Sequence, residues 1–65
     1  MRITVNGEAR ELPSGATVAD AVEAYSPYGN EPVAVVYHGA RIDEKARLPL
    51  AEGDALLIYP MLIGG

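Results

Sequence analysis

The chain has 65 residues, which is enough for one domain and leaves no room for a second core. With no cysteine and a single histidine, His38, the sequence excludes disulfides and argues against a zinc site, so packing of the 49% hydrophobic residues has to stabilise the fold. The formal net charge of −4 argues against binding to nucleic acid, because phosphate groups are neutralised by clustered lysine and arginine side chains.

The first twelve residues have the pattern of a β-hairpin. Apolar and polar residues alternate over 1–6, which is the period of a half-buried strand. Asn6-Gly7 favours a type I′ turn, because both central residues of that turn need a positive φ. We therefore predict a second strand over 8–12, which Pro13 ends.

A short amphipathic helix is predicted over residues 17–25. Thr17 is a suitable N-cap, and Asp20, three residues later, completes a variant of the capping box. Four apolar residues at helical spacing form one stripe, which consists of Val18, Ala21, Val22 and Tyr25. We expect this stripe, including Val22, to lie in the core.

Three further strands are predicted after the helix. Residues 33–37 form a continuous, mostly β-branched run, as expected of a strand that is buried on both faces. His38-Gly39 turns the chain, and residues 41–42 are expected to add a brief edge strand. The last strand is predicted over 55–59, and Pro60 should end it, because proline has no N–H for the ladder.

This order of hairpin, helix and strands predicts an α+β fold of the β-grasp, or ubiquitin-like, type. One main helix packed on one face of a mixed four- to five-stranded sheet buries a single apolar stripe economically. We predict a β-grasp domain over residues 1–60 and a flexible C-terminal tail over 61–65 that ends in two glycines.

The sequence offers little support for catalysis by the chain itself. A hydrolytic triad needs a nucleophile, a base and an orienting group. His38 lies at a predicted turn, where a histidine is usually a surface residue, and the two serines, Ser14 and Ser26, lie in loops beside the helix. Glycines stand alone in the turns, so no phosphate-binding loop is present. We predict that the chain is not an enzyme and itself binds no metal or cofactor.

The C-terminus is the feature that requires a functional explanation. Met61, Leu62 and Ile63 precede a terminal Gly64-Gly65. Glycine is common at frayed chain ends, but a solvated tail rarely needs three large apolar residues. Two residues without Cβ form a thin peptide that can enter a narrow active site and present a free carboxylate. We expect Pro60 and the apolar residues to help anchor the tail on a partner, for example as an added strand.

Several segments together carry a family resemblance. Residues 1–7 (MRITVNG) and 11–20 (ELPSGATVAD) are similar to the opening of thiamine-pathway carriers, and residues 50–54 (LAEGD) and Gly64-Gly65 match a wider pattern. Over essentially its whole length the sequence resembles the ThiS/MoaD family of ubiquitin-like sulfur carrier proteins.

The resemblance leaves two pathways open. Thiamine-type carriers usually have an Asn-Gly turn after the third strand, then a Pro-Arg pair and a tryptophan, whereas this chain has His38-Gly39, no such pair and no tryptophan. The compact connection over 42–50 and Tyr59-Pro60 before the tail are more similar to molybdopterin-type carriers.

The resemblance implies that Gly65 carries sulfur. A ThiF/MoeB-like enzyme that binds ATP and Mg²⁺ would adenylate its carboxylate, which is otherwise a poor acyl electrophile. Sulfur from a cysteine desulfurase or sulfurtransferase would then replace AMP. The resulting thiocarboxylate would donate sulfur in cofactor biosynthesis, to thiazole synthase or to the large subunit of molybdopterin synthase. Pro60, Met61, Leu62, Ile63 and Gly64 would dock the tail on these partners.

Two other functions stay open. One is a ubiquitin-like modifier that is joined through Gly65 to lysines of other proteins, and the other is an interaction module that uses the fold without activation. In each case we expect a cytoplasmic protein that does not bind a membrane. No apolar run approaches the ~20 residues of a membrane span, and no secretory leader precedes the first predicted strand.

Overall fold

A computed structural model, which describes residues 1–61, has five strands and one helix in the predicted order. They are β1 (Arg2–Val5), β2 (Glu8–Glu11), α1 (Val18–Tyr25), β3 (Val33–Tyr37), β4 (Ala40–Ile42) and β5 (Ala55–Pro60). The sheet order is β2-β1-β5-β3-β4. β1 and β5 run parallel, and the other neighbouring strands run antiparallel. The predicted mixed sheet with one helix is confirmed.

The core lies between α1 and one face of the sheet. Alternate strand residues point to this face, as the period of a strand requires. The largest fully buried side chains are Ile3, Val18, Val33, Val35, Leu56 and Ile58. Val22 packs at the margin of this core rather than within it, because it also lines a groove between α1 and the loops at 29–31 and 44–47. Val18 and Ala21 are the buried members of the predicted stripe.

The predicted capping box begins α1. The backbone N–H of Thr17 donates to Oδ2 of Asp20 at 2.8 Å, and the N–H of Asp20 donates to Oγ1 of Thr17 at 3.3 Å. The hydrogen bonds from Thr17 lower the pKa of Asp20, the one from its backbone N–H most strongly. Aspartate therefore performs here the reciprocal role that glutamate usually has.

β3 is buried on one face only. Val33 and Val35 are buried, whereas Ala34 and Val36 are partly exposed. The expectation of a strand covered on both faces is therefore wrong. Within residues 1–61 a single helix covers the sheet, so the second face of β3 has no layer packed on it.

β5 includes Pro60, one residue beyond its predicted end. Pro60 pairs with Val33, and the N–H of Met61 donates to the carbonyl of Pro32 at 3.2 Å. The backbone groups of Ile58 face the β1 side of the strand, so Pro60, two residues later, faces the same side. β1 has already ended there, and the missing proline N–H therefore costs no ladder hydrogen bond.

A hydrogen-bonded group joins the end of β3 to the loop before β5. The hydroxyl of Tyr37 donates to Oδ2 of Asp54 at 2.7 Å, and the same oxygen accepts the N–H of Ala51 at 2.8 Å. Oδ1 of Asp54 lies 3.7 Å from Nε2 of the exposed His38. The hydrogen bonds from Tyr37 and Ala51 lower the pKa of Asp54, and the bond to Asp54 raises the pKa of Tyr37.

We expect this group to make stability depend on pH at both extremes. The pKa of Asp54 in the folded protein is below its usual 3.8. The contribution of Asp54 to the free energy of unfolding is therefore complete above pH 3.8 and is lost as the pH falls through the pKa of the folded state. The pKa of Tyr37 in the folded protein is above its usual 10.0. The contribution of Tyr37 to the free energy of unfolding is therefore complete below pH 10.0 and is lost as the pH rises through the pKa of the folded state.

Urea unfolding over a pH series would measure both effects. Asp54→Asn should weaken the acidic and the alkaline dependence. Tyr37→Phe, as its control, should weaken the alkaline dependence but keep part of the acidic one, because the hydrogen bond from Ala51 remains. An Asp54→Asn variant with the pH profile of the native chain would contradict this assignment.

Candidate functional site

The predicted site residues that the structure describes lie at the end of the middle strand of the sheet. β5 has β1 on one side and β3 on the other. Pro60 is its last residue, and Met61, which follows it, is 40% exposed. The other predicted site residues, Leu62, Ile63, Gly64 and Gly65, lie outside the described residues, as does most of the predicted flexible tail.

Hydrogen bonds on the β3 side and on the β1 side of β5 hold the strands at this end of the sheet. On the β3 side, Oε2 of Glu44 accepts the N–H of Val33 at 2.6 Å, next to the Val33–Pro60 pair. On the β1 side, the carboxamide of Asn6 binds the backbone of Ile58. The tail therefore leaves from a strand end that both neighbours support.

The face of the sheet opposite α1 exposes apolar side chains beside this strand end. Leu57 and Tyr59 are 40% and 48% exposed and point away from the buried Leu56 and Ile58. Val36 pairs with Leu57 in the neighbouring strand and is partly exposed. We name Val36, Leu57 and Tyr59 the open-face strip. Neighbouring exposed apolar side chains of this kind form a candidate interaction surface.

One charged side chain borders the open-face strip. Arg41 of β4 pairs with Val36 and is exposed. The exposed pair of Arg2 and Glu11, in which Nε lies 3.2 Å from Oε1, lies at the opposite end of β1 and does not border the strip. A charged residue at the edge of an apolar centre agrees with the usual anatomy of a protein–protein interface.

Sequence reasoning missed Leu57 and Tyr59 as candidate functional residues. The run 55–59 is apolar throughout, so its periodicity does not distinguish the two faces. The signal that was available is the single predicted helix. One helix covers one face of a sheet, so every second residue of an apolar strand has to face outward.

An open groove of about 540 Å³ lies beside Met61. Half of its lining residues are charged, and both signs are present, with Arg41 and Lys45 near Asp43 and Glu44. Among residues 1–61, no group of three or more histidine, cysteine, aspartate or glutamate side chains is placed to hold a metal ion. In the same part of the chain, no helix has the length and hydropathy needed to cross a membrane.

Comparison with known proteins gives a match in structure but not in sequence. No family model matches the chain, and no curated protein matches it. Among solved structures, the chain is similar to the crystal structure of the thiamine biosynthesis protein ThiS from Geobacter metallireducens. The TM-score is 0.75, the identity is 25%, and the match covers 100% of both chains. The resemblance to the ThiS/MoaD family is confirmed.

Most described residues that carried this resemblance have structural roles in the ThiS-like fold. Asn6-Gly7 forms the β1–β2 turn with φ values of 52° and 84°, as predicted. Gly53 has a φ of 85°, which favours glycine, and its N–H donates to the carbonyl of Arg2 at 2.8 Å. Asp54 holds the loop through Tyr37 and Ala51. These motifs therefore build the ThiS-like domain.

Proposed function

We propose that the chain is a sulfur carrier protein in which the carboxylate of Gly65 is adenylated and then converted to a thiocarboxylate. The similarity to ThiS over the whole of both chains carries this proposal. It favours the thiamine pathway, with thiazole synthase as the acceptor, over the molybdopterin pathway. The chain is then a macromolecular substrate of its partners rather than an enzyme.

In this chemistry the C-terminal carboxylate is a reactant that the chain only has to position. A carboxylate oxygen of Gly65 attacks the α-phosphate of ATP and pyrophosphate leaves, which forms an acyl-adenylate. The outer sulfur of a persulfide on a cysteine desulfurase or sulfurtransferase then attacks the acyl carbon, and AMP leaves with the electron pair of its C–O bond. A thiol of the partner cleaves the S–S bond of the resulting acyl disulfide, which releases the thiocarboxylate and leaves a disulfide on the partner. ATP and Mg²⁺ belong to the ThiF/MoeB-like activating enzyme. The chain has to place one carboxylate within reach of the phosphate.

The described surface supports docking of the domain body to that enzyme. The open-face strip includes two residues of β5, the strand from which the tail leaves. A partner that covers Leu57 and Tyr59 therefore has Pro60 and Met61 within reach of the same contact surface. In this arrangement the open-face strip binds the activating enzyme, while residues 60–64 enter the active site of that enzyme and Gly65 reaches the nucleotide. A cytoplasmic location agrees with this set of partners.

The decisive experiment is a search for sulfur on the terminus. The purified chain is incubated with a ThiF-like activating enzyme, ATP, Mg²⁺ and a sulfur donor. We expect intact-mass spectrometry to detect the replacement of one oxygen by sulfur, and fragmentation to place it on Gly65. A reaction without ATP is the control and should leave the mass unchanged.

Two results would contradict the proposal. Isopeptide conjugates in a cell extract, without a thiocarboxylate, would favour the ubiquitin-like modifier. A terminus that reacts with none of the activating enzymes tested would favour the interaction module.

A further inference from the structure

The side chain of Asn6 occupies the place where one more residue of β1 would pair with β5. The backbone N–H of Asn6 makes the last main-chain bond between the two strands, to the carbonyl of Leu56 at 2.9 Å. Nδ2 of Asn6 then donates to the carbonyl of Ile58 at 3.0 Å, and its Oδ1 accepts the N–H of Ile58 at 2.7 Å. The carboxamide thus offers Ile58 the donor and the acceptor of a peptide group.

These two bonds satisfy backbone groups that the structure would otherwise leave without a strand partner. The side chain of Ile58 is fully buried, and its hydrogen bonds with Asn6 are partly buried. Buried backbone groups are almost always paired, because leaving one unpaired is costly. Without the carboxamide, the end of β5 would be held from the β3 side alone.

Asparagine meets both requirements of this position. Its φ of 52° is in the left-handed region, which glycine, asparagine and aspartate tolerate best. Glycine would keep the turn but has no carboxamide. Aspartate would keep the turn and the acceptor, but its second oxygen would face the carbonyl of Ile58 in place of a donor. The turn and the contact to Ile58 are therefore separable by mutation.

We propose that Asn6 is a positioning residue for the C-terminal tail, an inference that rests on the proposed function. Its carboxamide fixes the end of β5 and so the direction in which the tail leaves the domain. Six residues lie between Ile58 and Gly65. When the activating enzyme holds the tail as an added strand, a small rotation of the strand end would displace the carboxylate by an amount that grows along this distance. Misplacement by about 1 Å is enough to slow a reaction strongly.

The β3–β4 turn provides a matched control. His38-Gly39 also has two positive φ values, 51° and 76°, but the exposed His38 side chain approaches Asp54 rather than the end of β5. His38→Gly therefore removes a side chain from the same kind of turn without touching the contact to Ile58.

The test compares Asn6→Gly, Asn6→Asp and His38→Gly in two measurements. Amide hydrogen exchange should become about tenfold faster or more at Ile58 in Asn6→Gly, and faster by a smaller factor in Asn6→Asp, which keeps the acceptor of the Ile58 N–H, with Val35 reporting global opening. In ATP–pyrophosphate exchange by the activating enzyme, kcat should fall about tenfold or more, while KM for the carrier stays close to native. His38→Gly should leave both measurements near native.

Each other outcome overturns a defined part of the inference. Native exchange rates at Ile58 in both Asn6 variants would disprove the contact as a support of β5. Faster exchange at Ile58 with a native kcat would disprove the positioning role. Equal acceleration at Ile58 and Val35 in both variants would assign Asn6 to global stability instead. If the native chain is not adenylated, the proposed function fails and the positioning role with it, while amide exchange still decides whether Asn6 supports β5.

Discussion

Removal of Gly65 is expected to abolish adenylation by the activating enzyme and to leave the folded domain intact. The deletion moves the carboxylate back by ~3.5 Å, the length of one extended residue. An in-line attack on the α-phosphate of ATP does not tolerate such a displacement. Gly64→Leu should have a similar effect at full chain length, because its side chain would collide with a narrow channel.

The effect on stability should be small for a separate reason. The buried core runs from Ile3 to Ile58, and neither change removes any residue of it. Changes at positions outside the buried core usually alter the free energy of unfolding by less than about 0.5 kcal/mol. Urea unfolding and ATP–pyrophosphate exchange, measured on the same samples, separate the two effects. Adenylation of the truncated chain at the native rate would disprove the sulfur-carrier function and leave the interaction module.

Val18→Asp is expected to unfold the domain. Val18 is fully buried at the start of α1, and its N–H donates to the carbonyl of Leu48 at 2.9 Å. An unpaired charge in such a site costs several kcal/mol or more, whereas a domain of this size rarely has more than ~3–5 kcal/mol of stability. The favourable interaction of aspartate with the helix N-terminus, about 0.3–1 kcal/mol, is too small to compensate.

Two further substitutions in the same helix calibrate this result. Ala24→Asp adds the same group at an exposed position and should cost about 1 kcal/mol or less, mainly through its interaction with the helix C-terminus. Val22→Asp, at the margin of the core, should fall between the two. Circular dichroism during urea unfolding measures all three. A native-like Val18→Asp variant would contradict the packing of α1 against the sheet.

The elements that short stretches of chain determine could be predicted from the sequence. The alternation in β1, the Asn6-Gly7 turn and the Thr17–Asp20 capping box each depend on residues at most a few positions apart. Local backbone geometry and local hydrogen bonds decide such features, and neither changes much with tertiary context. The fold followed from the order of these elements.

The candidate site depends much more on contacts between distant residues. The carboxamide of Asn6 and the backbone of Ile58 are 52 residues apart, and no local pattern relates them. Pro60 is compatible with β5 only because β1 has ended on the side that its nitrogen faces. Leu57 and Tyr59 are as apolar as their buried neighbours, and only the position of the single described helix decides which face of the strand meets water. Local sequence thus determined the strands, the turn and the helix. Tertiary packing decided which side chains of β5 are exposed and how the end of β5 is supported, because both depend on which strands and helix become neighbours in space.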